Sequence, residues 1–138
     1  FVAREPTGEV DRYRALLEGV AFVERLGVEQ LVALGFVPGA GFAVAGGGSR
    51  SRVWNRIRAT VLGRTLTARA GADTARGACI LAAAGTLHPT LTAATDAMAA
   101  PGAEVRPDDE EAPALERSYR RFLEALQAQP WYPEQQGA

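Results

Sequence analysis

Lysine is absent from the 138 residues; all 15 basic side chains are arginines. That excludes Schiff-base chemistry and a Walker-type phosphate lysine. With the heavy use of alanine, it reads as coding bias. Cys79 is the only cysteine, so no intrachain disulfide forms and a thiol–zinc cluster is excluded. His88 is the only histidine, which weakens every histidine-dependent triad and metal site. No apolar run approaches the roughly 20 residues that cross a bilayer. Nor does a charged-then-apolar leader open the chain, so a cytoplasmic location is expected. Excess charge is missing too: 16 acidic residues against 15 basic give a net charge of −1. Neither nucleic acid nor an anionic membrane is therefore an expected partner. An initiator methionine is also lacking, and Phe1 falls in mid-pattern, which suggests a piece of something longer.

What is present fits one soluble α/β domain. Hydrophobic residues make up 47% and charged residues 22% of the chain, the balance of a globular protein with a modest core. The rest is arranged around residues 42–51. Phe42, Ala43, Val44 and Ala45 read as a short buried strand, and Gly46, Gly47 and Gly48 strip the side chains from its end. Ser49 and Ser51 then precede a helix over Arg52–Leu62. Strand, bare turn and capped helix can bring backbone N–H groups close to a ligand, and such a loop suits a nucleotide. The same residues also describe an ordinary tight turn, and the loop alone leaves both readings open.

Residues 1–8 read as extended or loop. From Glu9 to about residue 34, Tyr13, Leu16, Leu17, Val20, Val23 and Leu26 recur at three- and four-residue spacings, predicting a helix that tolerates Gly27 or kinks there and that Gly35 caps. In the helix at 52–62, Val53, Trp54, Ile57 and Val61 form the expected buried face. Thr65 to Ala68 reads as a second strand parallel to the first, making a βαβ unit. Asp73 is the expected cap of a helix at 74–84, with Cys79 as a small buried hydrophobe. Thr90 or Thr92 starts an alanine-rich helix to about 99, and residues 105–107 read as a connector. Asp108 caps the last helix, whose stripe is Leu115, Tyr119, Phe122, Leu123 and Leu126. The acids at 108–111 have a metal reading, but capping explains them without one. Trp131 and Tyr132 are candidates to pack behind a frayed tail.

Several chemical motifs fail on context. Gly39 and Gly41 begin a dinucleotide-like pattern, but they precede a strand instead of following one. Gly41 and Gly46 have P-loop spacing, yet Gly47 and Gly48 stand where Lys and Ser or Thr belong. Arg50, Arg52, Arg56 and Arg58 cluster around one helix with only Trp54 among them, a poor nucleic-acid signature. Some of these arginines are expected to face phosphate or a neighbouring lobe.

Three stretches in order resemble the FGGY carbohydrate kinases. Residues 12–22 are similar to the family's R-A-x-x-E-G-x-x-F helix. Residues 46–54, with 59–64, resemble its GGG-[AS]-x-S-x-x-W and A-D-V-L-G-R-P-V segments. Residues 77–85 resemble its G-A-A-x-L-A-A-x-G helix. The turn at 106–108 and the helix containing residues 119–122 match the family's C-terminal end. The likeness covers nearly the whole chain and, within the family, is to its xylulokinase branch. Thr60 stands where the family usually has Asp and Thr65 where it usually has Pro, and residues 72–76 lack the usual Glu and Leu.

The resemblance implies part of an actin-like, ribonuclease-H-like ATPase lobe, helix-rich with a short parallel sheet. It implies an ATP- and Mg²⁺-dependent kinase for a sugar, with xylulose ahead of ribulose, gluconate or glycerol. Gly46, Gly47, Gly48 and Ser49 would line the adenosine and α-phosphate, Arg52 would flank them, and Glu18 and Gly19 would form the wall behind. The family's catalytic aspartate, phosphate loops and sugar-binding residues would lie upstream of Phe1. The 138 residues alone are then expected to bind nucleotide weakly at most, to be inactive, and to self-associate or dimerise. A non-catalytic actin-fold module that kept the loop and lost the chemistry is the competing reading.

Overall fold

The computed structural model describes residues 8–69, 74–99, 102–130 and 132. Among the described residues, five α-helices and three strands run in the order α1 (Glu9–Ala33), β1 (Gly41–Val44), α2 (Arg52–Leu62), β2 (Thr65–Arg69), α3 (Thr74–Ala83), α4 (Leu91–Met98), β3 (Gly102–Val105) and α5 (Ala112–Gln127). A single 3-10 turn, Gly47–Arg50, stands between β1 and α2. The expected cap Asp73 and the tail residue Trp131 lie outside the described residues.

Helix α2 is the shared wall of two cores. One face carries Ile57 and Val61 against Ala21 and Phe22 of α1 and Leu115 and Tyr119 of α5. Phe22, Tyr119 and Phe122 meet there as tilted and stacked rings, with centroids 5.7–6.1 Å apart. The other face puts Ala59 against Val44 of β1 and Leu66 of β2, with Leu62 packed alongside. Burying an aliphatic or aromatic side chain in such a core contributes about 1.5–3 kcal/mol. Helix α2 therefore holds the sheet to the helical layer.

The βαβ unit forms as the sequence predicts. Strands β1 and β2 are parallel, with Phe42 opposite Leu66 and Val44 opposite Ala68. The sheet does not stop there. Gly102–Val105, which shares only Val105 with the expected connector, forms β3, antiparallel to β2 with Leu66 opposite Val105. The sheet is mixed, in the order β1-β2-β3. Residues 102–105 lack β-branched side chains before Val105 and show little alternation, so this edge is specified by the unpaired side of β2 and not by local propensity.

Other expectations need correction. Helix α1 runs unbroken through Gly27. Its inward face is Leu17, Ala21 and Phe22, while Tyr13, Leu16, Val20 and Val23 are exposed. In α2, Val53 is exposed, whereas Asn55 and Thr60 are buried. Val53 sits in the first turn, ahead of both packing partners. Thr60 is tolerated inside because its hydroxyl donates to the Arg56 carbonyl at 2.7 Å and accepts from the Asp108 amide at 2.9 Å. Cys79 is exposed, not buried. Among the described residues α3 packs chiefly on α4, and of its own side chains it buries only Ala83.

Asp108 caps the turn that precedes the last helix, not the helix itself. Its Oδ1 accepts from the amides of Glu110 and Glu111 at 3.0 and 3.2 Å, and α5 begins at Ala112.

Candidate functional site

At the end of β1, Gly46 takes φ 83° and ψ −178°, a region essentially closed to residues with a Cβ. The chain then enters the 3-10 turn. Both the amide and the hydroxyl of Ser49 donate back to the Gly46 carbonyl, at 3.2 and 2.7 Å. The Ser51 amide donates to the Gly48 carbonyl at 3.1 Å. Ser51 then caps α2, its Oγ accepting from the Trp54 amide at 3.2 Å. This accounts for one of the orphan donors that every helix start leaves. The positive end of an eleven-residue helix thus lies directly behind a loop with no side chains at 46–48.

Two residues of α2 brace that loop from below. Asn55, 1% exposed, donates from Nδ2 to the Ser49 carbonyl at 2.6 Å. The Trp54 ring lies against Gly48 so closely that a Cβ there would sit 1.9 Å from Cζ3. Sequence reasoning had Trp54 as a core residue and did not single out Asn55. The sequence carries no sign of either role, because the burial of Asn55 and the place of the Trp54 ring are set by packing.

The candidate residues Gly46, Gly47, Gly48 and Ser49 are brought together in one turn, while Arg52 stands exposed in the first turn of α2. The Ser49 hydroxyl is turned inward onto Gly46. The basic cluster divides in two. Arg56 pairs with Asp108, and Arg58 pairs with Glu24 at 2.7 Å while stacking over Trp54. Arg50 and Arg52 are exposed and make no ion pair among the described residues. Glu18, the expected wall residue on α1, pairs with Arg14 at 2.7 Å, and neighbouring Gly19 is half-buried.

A cleft of about 610 Å³ opens at the opposite end of α2, between α1 and the start of α5. Ten residues of helix place it roughly 15 Å from the glycine loop. Its charged side chains satisfy one another. Arg25 donates to Glu29 and Glu116 at 2.8 and 2.6 Å, and Tyr119 donates to Glu29 at 2.5 Å. Burial pulls the Arg25 guanidinium down, but its bonds to Glu116 and Glu29 outweigh that and raise it overall. Burial, then the bond to Glu29, pushes the Tyr119 phenol up. Such a network fastens α1 to α5 and leaves few polar groups to recognise a ligand. The loop, with its exposed backbone and free arginines, is the better candidate.

A glycine turn and a capped helix within a helix-rich, mixed-sheet unit make this an α/β module, part of the actin-like ATPase fold of the kinase structure it matches. The chain belongs to the FGGY family of carbohydrate kinases: the model of the family's C-terminal domain matches residues 3–86. Its structure is similar to that of xylulose kinase from Rhodospirillum rubrum, with 31% identity and a TM-score of 0.74. That match covers 92% of this chain and 26% of the xylulose kinase chain, so the present residues span about a quarter of that protein's length.

Proposed function

We propose that this chain supplies the adenosine-binding side of the cleft in an ATP-dependent sugar kinase, with xylulose as the sugar phosphorylated. The observation that carries the reading is the turn from Gly46 to Ser51: a positive-φ glycine, two more bare positions and a side-chain cap at the start of α2. Backbone donors at a helix start favour an anionic phosphate, and the lack of side chains lets the ribose and base lie close. In this reading Gly46, Gly47 and Gly48 line the nucleotide, Ser49 shapes the turn through Gly46, and Arg52 flanks the phosphates. The xylulose kinase likeness supports the choice of sugar.

ATP fits this turn as a backbone-bound anion. Mg²⁺ would travel on its phosphates, since the described residues offer no group of three acidic, histidine or cysteine side chains to hold an ion. The nucleotide supplies the phosphoryl group. This chain's part is to bind, orient and keep water from the adenosine end.

The reading is tested in two steps. Calorimetric titration of the 138-residue chain with ADP should show saturable binding that Arg52→Glu weakens. The longer protein that contains these residues should release ADP with xylulose faster than with ribulose, gluconate or glycerol. Absence of saturable binding would remove the nucleotide role, and a different sugar preference would remove only the substrate.

A further inference from the structure

We infer that Arg58 and Glu24 are positioning residues for the glycine loop, acting on it through the indole of Trp54. The inference rests on the nucleotide reading above and deepens it.

The chain of contacts starts at Gly48. A Cβ built there would lie 1.9 Å from Trp54 Cζ3 and 2.7 Å from Cε3, so the ring touches loop backbone directly. No side chain intervenes to absorb a movement of the ring, and the backbone at 47–49 must follow it. One turn further along α2, the Arg58 guanidinium stands 5.2 Å from the centre of the ring, within range of the attraction between a cation and an aromatic face. Arg58 is itself held. Its Nε donates to Glu24 Oε2 at 2.7 Å, and its Nη2 donates to the other carboxylate oxygen. That two-bond fork fixes the plane of the guanidinium as well as its position. Glu24 belongs to α1, which is anchored two residues earlier by Phe22 in the core.

The path therefore runs from the α1 core to Glu24, Arg58, Trp54 and Gly48. Each link is a rigid or planar group set by the one before. The contrast with Arg50 and Arg52 on the same stretch is informative. Those two stay exposed, while Arg58 is largely covered and committed to a carboxylate on another helix. An ion pair serving solubility alone would gain nothing from lying on an indole.

The test uses the 138-residue chain carrying Trp131→Phe, which leaves Trp54 as its one tryptophan. Arg58→Gln and Glu24→Gln should each raise acrylamide quenching of Trp54 emission and weaken ADP binding about tenfold, with unchanged helix content by circular dichroism. Arg58→Lys, which keeps a cation near the ring, should recover most of the ADP affinity. If either glutamine variant fails to fold, Glu24→Asp and Arg58→Met carry the comparison through the same two readouts, with the same losses expected. ADP affinity within about twofold of the parent in both pairing variants overturns the inference, as does unchanged quenching. Failure of the Trp131→Phe chain itself to bind ADP would instead overturn the nucleotide reading, and this one with it.

Discussion

Gly46 and Gly48 make different demands on the same turn. Gly46 is needed for its backbone, at φ 83°, and Gly48 for the space that Trp54 occupies. Gly46→Ala should cost about 1–3 kcal/mol through backbone strain. Gly48→Ala should cost about 1–3 kcal/mol because the indole or the turn must shift. Gly27 is the internal control. It lies exposed in the middle of α1 with nothing within 4 Å of a built Cβ. Gly27→Ala should therefore stabilise by about 0.5–1 kcal/mol. Urea unfolding of the three variants checks the set, and Gly48→Ala as stable as Gly27→Ala would sink the Trp54 contact. The sequence shows three bare positions after a strand. It does not show that one answers to a dihedral and another to a ring six residues on, because that distinction belongs to packing.

At the level of elements, ion pairs reinforce the apolar contacts by which α1 and α2 hold the start of α5: Arg25 of α1 pairs with Glu116, and Arg56 of α2 pairs with Asp108. Asp108 is held below its ordinary 3.8 first by the Glu111 amide, against burial, and then by Arg56 and the Glu110 amide. Glu116 is held below its ordinary 4.5 chiefly by its hydrogen bond from Arg25. A carboxyl lowered on folding stabilises fully above its unfolded value and loses that stabilisation as pH falls towards its folded value. The urea midpoint should thus be level from pH 7 to about 5 and fall towards about pH 3. Asp108→Asn combined with Glu116→Gln should start lower and fall less steeply. Parallel pH profiles for variant and parent would contradict this assignment. The elements themselves were mostly legible: α2 lies at Arg52–Leu62 as its cap and closing glycine predict. Strand β3 and the buried Asn55 and Thr60 were not, since each depends on a backbone partner distant in sequence or hidden inside the turn.

For the whole molecule, the decisive surface is the outer face of α1. Leu16 is 69% exposed, and Tyr13, Val20 and Val23 continue the row at helical spacing. The periodicity correctly announced a helix without saying which stripe the described residues cover: a helix apolar on two sides gives no sign in sequence of which side is covered here. A row of this kind favours association in water. We expect light scattering to report a mass that rises with concentration, and Leu16→Glu with Val20→Glu to lower it towards that of a monomer. A concentration-independent monomer for the unaltered chain would contradict this.

Activity is a separate question from assembly. Phosphoryl transfer to a sugar needs a base beside the attacking hydroxyl, aligned phosphates and their metal ion. The carboxylates that bond to α2, Glu24 and Asp108, are committed to Arg58 and Arg56. Abstracting a proton with either of them would mean breaking its ion pair. The 138 residues should therefore bind ADP without turning over ATP when xylulose is added. A coupled ADP-release assay at high protein concentration measures this directly. Sugar-dependent turnover that survives Glu24→Gln and Asp108→Asn would mean that another group in this chain serves as the base.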